Sequence, residues 1–368
     1  MKCHASIKAI QKNKDQSFNN RGYSSGNQST PVYSCTVWES PNGIKLFTGG
    51  SDGAWRLWDT GNNFVEEFSQ EMGNKITKLE VFAGFLFCGF EAVSTVLPDV
   101  PVGMIHVWNL SNPGDAPLEF QIDPQFAPYA HGSEVSALLV TSMEEGSNDP
   151  SKMVIISGDK SGVVRLWSPP ASSEKIFKVQ QTFHGHVGEV SALVLCNNFV
   201  WSSGVDGSMR VWDPSTGQCK HLVTGASPNV KPHTDAITDM QLWKNQGQNY
   251  VISSSLDGTV KAWSSDGNIL LSEENGEGVL CMTIATDPQG TPVILCGAGS
   301  GGINVRSLSH TPSMPAFTLI AKLTPTLNYG HERGPVRCLR VGPSNTWYSG
   351  GDDGNLLVWQ TVEPLVKD

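Results

Sequence analysis

The tryptophans of this chain recur at a nearly regular interval, and this repeat restricts the possible folds more than any other feature. Each marker tryptophan ends a similar string, as in LFTGGSDGAWRLWD, VWSSGVDGSMRVWD and WYSGGDDGNLLVW. The marker tryptophans are Trp58, Trp108, Trp167, Trp212, Trp263 and Trp359. The first four intervals between them are 45 to 59 residues, and the last, of 96 residues, spans two periods. Because Arg306 stands at the missing position, in GGINVRSL, the pattern predicts seven units.

Each string predicts a β-hairpin, since an apolar run leads through an Asp-Gly-like two-residue turn into an alternating run. A further alternating run precedes most hairpins, as at residues 135–140 and 190–195, and another follows, as at residues 63–69 and 218–223. Four antiparallel strands, repeated seven times, favour an all-β propeller in which each sheet, or blade, buries its faces against its neighbours.

These strings resemble the WD40-repeat family, and the resemblance covers residues 31–360. The Trp-Asp dipeptide of that family occurs at Trp58-Asp59 and Trp212-Asp213, and Gly-His elements end at His186 and His331. The resemblance implies a seven-bladed WD40 β-propeller with four antiparallel strands per blade. It also implies a non-catalytic scaffold that binds other proteins.

The resemblance further implies a buried hydrogen-bonded tetrad of His, Ser or Thr, Asp and Trp in each regular blade. Burial of these polar groups is tolerated only if each finds a partner. Blades 4, 5 and 7 carry complete sets: His186, Ser202, Asp206 and Trp212; His233, Ser253, Asp257 and Trp263; His331, Ser349, Asp353 and Trp359. Blade 1 lacks the His, blade 3 has Ser161 where Asp is expected, and blades 2 and 6 lack most members. We therefore expect blades 4, 5 and 7 to be the stiffest and blades 2 and 6 the loosest.

The distribution of charge along the chain indicates its domain organisation and whether it binds nucleic acid. The formal net charge is -10, but residues 1–30 carry five basic residues and one acidic residue. We expect residues 1–30 to be a flexible basic arm, part of which (about 5–12) closes blade 7, residues 31–362 to be the propeller, and residues 363–368 to be a tail. The acidic propeller is not expected to bind nucleic acid.

The eight cysteines form no CxxC pair and favour reduced thiols in the cytoplasm or nucleus. No apolar run is long enough for a membrane helix.

Motifs that suggest catalysis, a cofactor or a metal have structural interpretations. The GAGSGG run at residues 297–302 matches a dinucleotide-binding pattern, but the strand-like INVRSL follows it, where the mechanism needs a helix. His184-Gly-His186 has no third ligand nearby, and the tetrad accounts for His186. We therefore predict no enzyme activity, no cofactor, no metal and no catalytic residue.

Partner binding is predicted on the turn face, which we define as the loops joining second to third strands together with the loops that enter first strands. The candidate residues share this location next to a turn or a strand entry: Ser51, Glu134, Lys160, Glu189, Val205, Asp235, Leu256, Arg333 and Asp352. We expect the protein to be a monomeric subunit within a complex with other proteins.

An apolar insertion, EAVSTVLPDVPV at residues 91–102, lies between the second and third strands of blade 2. An exposed apolar loop usually has something that covers it. Val96 and Leu97 are therefore candidate partner-binding residues. The alternatives are that the loop packs over the central channel, or that it forms a longer hairpin against blade 1 or 3.

A narrower resemblance is to plant-type WD40 proteins that carry a CCCH zinc finger ahead of the propeller. It rests on GVLCMTIATDPQGTPVILCGAGSGGINVRSL and GPVRCLRVGPSNTWYSGGDDGNLLVW. The finger spacing itself is missing, so nucleic-acid binding through a finger is not expected. The alternative to a simple scaffold is the recognition subunit of a nucleic-acid-binding or ubiquitin-ligase assembly.

Overall fold

The computed structural model describes residues 7–9, 18–19, 30–96, 99–144, 146–170, 174–225, 227, 229–310, 315–325, 330–331 and 334–361. It is built from antiparallel sheets of short strands, and the prediction of an all-β propeller is confirmed. The described part of the chain contains no helix long and apolar enough to cross a membrane.

The first three blades use residues 32–184, after two short strands, β1 (Ile7–Ala9) and β2 (Phe18–Asn19), that belong to the last blade. Blade 1 comprises β3 (Val32–Ser40), β4 (Gly43–Gly50), β5 (Ala54–Asp59) and β6 (Val65–Glu71). Blade 2 comprises β7 (Ile76–Phe82), β8 (Phe85–Val93), β9 (Pro101–Asn109) and β10 (Leu118–Gln121). Blade 3 comprises β11 (Val135–Ser142), β12 (Met153–Asp159), β13 (Val163–Ser168) and β14 (Ile176–His184), with a 3-10 helix, Pro150–Lys152, before β12.

The remaining blades follow the same plan. Blade 4 comprises β15 (Val190–Cys196), β16 (Phe199–Gly204), β17 (Met209–Trp212) and β18 (Cys219–Val223). Blade 5 comprises β19 (Ile237–Asn245), β20 (Gln248–Ser255), β21 (Thr259–Ser264) and β22 (Ile269–Glu274). Blade 6 comprises β23 (Val279–Thr286), β24 (Pro292–Ala298), β25 (Ile303–Ser307) and β28 (Leu319–Leu323), and a small ribbon of β26 (Ser309–His310) and β27 (Pro315–Ala316) precedes β28. Blade 7 comprises β29 (Val336–Val341), β30 (Thr346–Gly351) and β31 (Asn355–Thr361).

The blades form a closed ring. Their first strands contact one another in the order β3, β7, β11, β15, β19, β23 and β29, and β29 returns to β3. In blade 7, β1 lies antiparallel to β31 with Ile7 opposite Thr361, in the position that a fourth strand takes in the other blades. The predicted C-terminal tail lies outside the described residues.

The hydrophobic core lies between neighbouring blades rather than inside any one sheet. The cluster between blades 3 and 4, for example, joins Ile156 and Leu166 to Val190, Val200 and Trp212. A different contact joins blades 2 and 3, where outer strands β10 and β14 pair in parallel and the rings of Phe120 and Phe177 stack at 4.2 Å. Because each sheet buries its faces against the next, the blades stabilise one another.

The hairpin turns differ from the predicted two-residue Asp-Gly turn. In blade 4, four residues separate β16 from β17. Within this turn the Gly207 N–H donates to the Gly204 carbonyl at 3.1 Å. Gly207 has a φ of +70°, whereas Asp206 is not in the left-handed region. Glycine is therefore required at one turn position, and the Asp side chain is left free to accept hydrogen bonds.

Of the alternatives for the insertion of blade 2, the structure has the longer hairpin against blade 3. Strands β8 and β9 continue pairing up to Val93 opposite Pro101, which makes most of the insertion a longer hairpin. At its base, Gly103 and His131 exchange backbone hydrogen bonds of 2.9 Å, so the hairpin is attached to blade 3. Only the far end projects, where Val93 and Val96 are 58% and 44% exposed.

Candidate protein-interaction face

The tetrad of blade 4 connects the turn face to the buried centre of the blade. The Ser202 hydroxyl accepts the Trp212 Nε1–H at 2.8 Å and lies 2.7 Å from His186 Nε2. The other ring nitrogen, Nδ1, lies 3.3 Å from both carboxylate oxygens of Asp206. Asp206 also accepts the Val187 N–H at 3.0 Å, so one carboxylate joins the hairpin turn to the loop that enters β15.

Blade 5 repeats this arrangement with the predicted residues. Ser253 Oγ lies 2.8 Å from both His233 Nε2 and Trp263 Nε1, and His233 Nδ1 lies 2.9 Å from Asp257 Oδ2. Burial lowers the pKa of His233, against the opposing effect of its bond to Asp257. Burial alone would raise the pKa of Asp257, but hydrogen bonds from His233 and neighbouring groups hold it well below its usual range. The imidazole is therefore neutral and the carboxylate charged at neutral pH.

Blade 7 contains the third predicted tetrad. His331 Nδ1 lies 2.8 Å from Asp353 Oδ1, and its Nε2 lies 2.9 Å from Ser349 Oγ, which also accepts the Trp359 Nε1–H at 2.9 Å. His331 and Ser349 are fully buried. The three tetrads anchor the loops of the turn face to the interior of their blades.

Blade 3 has a complete network as well, and the prediction that its carboxylate is missing is wrong. Asp159, two residues before Ser161, lies 2.9 Å from His131 Nδ1. Ser157 Oγ lies 2.6 Å from His131 Nε2 and accepts the Trp167 Nε1–H at 2.8 Å. Ser161 donates its hydroxyl to Asp159 at 2.7 Å. The carboxylate thus comes from the end of β12 instead of the turn.

Blades 1 and 6 replace missing tetrad members with arginine. In blade 1, Arg56 forms a buried ion pair with Asp52 at 2.6 Å, and Trp58 donates to Thr48 at 2.8 Å. In blade 6 the guanidinium of Arg306, only 4% exposed, occupies the tryptophan position. It donates to the Phe317 carbonyl at 3.2 Å and also to Asn275 and the Glu274 carbonyl of blade 5. Blade 6 therefore has a polar network of its own, which crosses to the neighbouring blade.

Blade 2 differs from the other blades because its buried histidine belongs to no polar network of described residues. His106, on β9, places both ring nitrogens out of contact with solvent and without a hydrogen-bond partner among the described residues. Its ring contacts Phe90 edge-on, with centroids 4.8 Å apart. Burial lowers the pKa of His106, which keeps the imidazole neutral.

The central channel opens on the turn face through a mouth, which we define by its lining residues. The mouth encloses about 350 Å³ and is lined by loops and inner strands of all seven blades, including Lys75, Lys78, Glu134, Lys160, Glu189, Val205, Leu256 and Arg337. Val205 and Leu256 are the exposed residues before the turn Asp of blades 4 and 5, 44% and 42% exposed. Aliphatic side chains thus meet charged ones at one opening.

The predicted interaction residues fall into distinct groups. Five line the mouth: Glu134, Lys160, Glu189, Val205 and Leu256. Ser51 and Asp235 are exposed on the rim, and Val96 lies on the blade 2 hairpin. The described residues of that hairpin are not among those that line the mouth. Leu97 and Arg333 lie outside the described residues.

Several charges at the mouth are already paired. Glu134 lies 2.7 Å from the ammonium groups of both Lys75 and Lys160. Asp352 accepts two hydrogen bonds from Arg337, at 2.7 and 2.5 Å, which raise the pKa of that guanidinium. These ion pairs fix the loops of blades 2, 3 and 7 at the mouth. Because Asp352 is paired with Arg337, it is less available to a partner than its position in the turn suggested.

Of the basic residues of the mouth, sequence reasoning named Lys160 but missed Lys75, Lys78 and Arg337. Lys78 lies in the middle of innermost strand β7 and forms no ion pair with any described residue. Lys78 and Glu80 two residues apart in ITKLEVF were the available signal, because an innermost strand places alternate residues in the channel.

The ring of four-stranded blades and the His–Ser–Asp–Trp networks define a WD40-repeat β-propeller. The family model described as "WD domain, G-beta repeat" matches residues 21–59, 177–213, 227–264 and 321–360. The chain carries WD40 repeats in these four segments.

Known relatives include zinc-finger proteins of plants. "Zinc finger CCCH domain-containing protein 17" of Oryza sativa subsp. japonica is 25% identical over 321 residues, which is 86% of this chain and 61% of that protein. "F-box/WD repeat-containing protein sel-10" of Caenorhabditis elegans is 30% identical over 125 residues, 33% of this chain and 19% of that protein. The chain thus spans about three fifths of the rice relative and less of the other.

Among solved structures, the computationally designed Ika8 protein is similar with a TM-score of 0.57 and 22% identity, covering 91% of this chain and 98% of that one. This likeness concerns the fold alone.

Proposed function

We propose that this chain is a non-catalytic scaffold that binds partner proteins through the turn face, around the channel mouth. WD40-repeat proteins generally act as protein-interaction scaffolds. The observation that carries the proposal is the exposure of Val205 and Leu256 at the mouth, beside Lys78, whose ammonium has no ion-pair partner among the described residues.

The chemistry of the mouth favours a protein partner. Aliphatic side chains that keep two fifths of their surface in water gain free energy when a partner covers them. Lys78 and Glu189 offer charges of both signs around that aliphatic contact, which suits a segment with mixed side chains more than a phosphate backbone. The four tetrads keep the loops fixed, so little conformational entropy is lost on binding.

A second candidate is the recognition subunit of a larger assembly, either a ubiquitin ligase or a nucleic-acid-binding complex. The similarity to a protein named for an F-box, and to a protein named for a CCCH zinc finger, supports it. In either assembly the propeller would select the partner while another chain or segment supplies the effector.

Affinity purification with mass spectrometry tests both candidates. The double variant Val205→Glu with Leu256→Glu should lose the specific partners of the unmodified chain. The matched control is Met143→Glu, because Met143 is 48% exposed in the β11–β12 loop on the opposite face. The control should keep all of these partners.

The pattern of loss separates the outcomes. If the double variant and the control retain the same partners, the turn face is not the binding surface. If the partners disappear after nuclease treatment, the nucleic-acid assembly replaces the simple scaffold. Recovery of ubiquitin-ligase subunits, dependent on Val205 and Leu256, would support the second candidate.

A further inference from the structure

Two cysteines meet where the ring closes. Cys35 lies on β3 of blade 1 and Cys338 on β29 of blade 7, and their Sγ atoms are 3.6 Å apart although 303 residues separate them in sequence. Both line the channel, at a cavity of about 360 Å³ formed by the innermost strands. The two strands belong to different sheets, so no ladder of backbone hydrogen bonds joins them.

The surroundings of the pair make the two sulfurs unequal. The hydrogen bond between the thiols lowers the pKa of Cys338 and raises that of Cys35, and the charges of Lys78 and Arg340 lower the pKa of Cys338 further. Arg340 is held in place by Glu80 and by Thr36, whose Oγ is 3.2 Å away. A cationic environment favours the thiolate, which is the reactive form of cysteine.

We propose that Cys35 and Cys338 form a reversible oxidation site, with a hydroperoxide as the oxidant and a disulfide across the ring closure as the product. The Cys338 thiol gives up its proton, and the thiolate attacks one oxygen of the peroxide. The O–O bond breaks, Cys338 becomes a sulfenic acid, and the hydroxide or alkoxide that leaves takes up the proton released by Cys338. Cys35 then attacks the Cys338 sulfur, the S–O bond breaks, and water leaves with the Cys35 proton. Overall, two thiols are oxidised and the peroxide is reduced to two molecules of water, or to one water and an alcohol for an organic hydroperoxide.

The step requires a movement of the two sulfurs towards each other. A disulfide has a length of about 2.05 Å, so sulfurs that are 3.6 Å apart must approach by roughly 1.5 Å. Both residues line the channel cavity, and Cys338, which attacks the peroxide, is half-buried whereas Cys35 is buried. The bond would connect the first and last blades covalently, where otherwise side-chain packing holds the innermost strands together.

The nearest competitor is Cys281, on the adjacent inner strand β23 and lining the same cavity. Its thiol donates to the Val336 carbonyl at 3.6 Å, and burial raises its pKa. Cys219 is exposed, so it will react with any added oxidant and must be removed before measurement.

The test uses the full chain with Cys219→Ser as background. After limited hydrogen peroxide, non-reducing peptide mapping should recover a Cys35–Cys338 disulfide, and thermal unfolding should shift upward by about 5 °C, reversed by a reductant. In Cys35→Ser, a sulfenic-acid probe should label Cys338, because the resolving thiol is gone. In Cys338→Ser, the disulfide and that label should both be absent.

A matched control is Cys196→Ser, since Cys196 is buried in blade 4 away from the ring closure and its loss should leave the disulfide intact. If either serine variant is unstable, the peptide map of the background protein still decides the question. Recovery of a Cys281–Cys338 bridge, or of both thiols unmodified under conditions that oxidise a free model thiol, would overturn the assignment.

Discussion

The Nδ1 atom of His131 lies 2.9 Å from Oδ2 of Asp159, and both side chains are almost completely buried. This pair gives blade 3 the same polar network as blades 4, 5 and 7, although Asp159 precedes the usual carboxylate position by two residues. Burial alone would raise the pKa of Asp159, but the hydrogen bond from His131 keeps it below its usual range. The network of blade 3 therefore depends on one charged carboxylate at the end of β12.

Replacement of Asp159 by alanine is expected to destabilise the protein by about 3 kcal/mol, because it removes the carboxylate that pairs with Nδ1 of the buried His131 and that faces the Arg165 guanidinium, which lies 2.7 Å from the same nitrogen. Ser161→Ala is the control. Its hydroxyl only donates to Asp159, and the loss should be below about 1 kcal/mol. Urea unfolding followed by tryptophan fluorescence measures both changes. Equal losses would show that the turn serine carries the network after all.

The serine at the centre of a tetrad should matter more than its size suggests. Ser253→Ala removes the only hydroxyl that contacts both His233 and Trp263, so the buried Trp263 N–H loses its acceptor and His233 Nε2 loses its donor. We expect a loss of about 2 to 3 kcal/mol. Ser272→Ala, at an exposed position on β22 of the same blade, should change unfolding by less than about 0.5 kcal/mol. A Ser253→Ala protein as stable as this control would contradict the role of the tetrad.

Stability should decline as the pH falls below about 6.5, the pKa of histidine in an unfolded chain. Burial lowers the pKa values of His106, His131 and His233 in the folded protein, so the unfolded state binds more protons below that pH. A further decline is expected below about pH 4, where the tetrad carboxylates with lowered pKa values become protonated on unfolding. Denaturant unfolding at pH 8, 6 and 5 measures the slope.

The histidine of blade 2 provides the matched variant for this pH dependence. His106→Leu should be neutral or stabilising by up to about 1 kcal/mol at pH 8, because the imidazole has no described hydrogen-bond partner. Between pH 6.5 and 5 the variant should lose less stability than the unmodified protein, since one fewer buried imidazole must be charged. A steeper slope in the variant would show that His106 is stabilised by a partner beyond the described residues.

Substitutions at the far end of the blade 2 hairpin can test partner binding without changing the stability of the protein. Val93→Glu with Val96→Glu should change the free energy of unfolding by less than about 0.5 kcal/mol, since both side chains are already largely exposed. If the hairpin contacts a partner, affinity purification with this variant should recover that partner less well. Partners that remain complete in this variant and disappear with the mouth variant would place binding at the mouth alone.

Hydrogen exchange should follow the polar networks. Amides in the inner strands of blades 3, 4, 5 and 7 should exchange more slowly than those of blade 2, whose His106 is unsatisfied among the described residues. Blade 6 lacks a tetrad and was expected to be loose, but Arg306 bonds it to blade 5. Its exchange relative to blade 2 therefore measures how well arginine replaces the tetrad. Slowest exchange in blade 2 would contradict this order.

The sequence was sufficient to predict those features of the fold that depend on local, periodic patterns of residues. The Trp interval, the turn glycines and the alternating runs lie within about 50 residues of one another, so they predicted the strands, the propeller and the tetrads of blades 4, 5 and 7. The resemblance to WD40 proteins supplied the roles of those tetrad residues. The structure places Glu134, Lys160 and Glu189 at the mouth, and their role in binding stays a prediction.

The tertiary structure alone decided which side chains meet across blades. A carboxylate displaced by two residues completes blade 3, because the fold brings Asp159 to His131 regardless of its register in the repeat. Arg306 depends on acceptors from blade 5, and the long hairpin depends on a backbone contact with blade 3. Cys35 and Cys338 meet only because seven blades close into a ring. Contacts between residues so far apart in the chain leave no local pattern, so sequence periodicity could not reveal them.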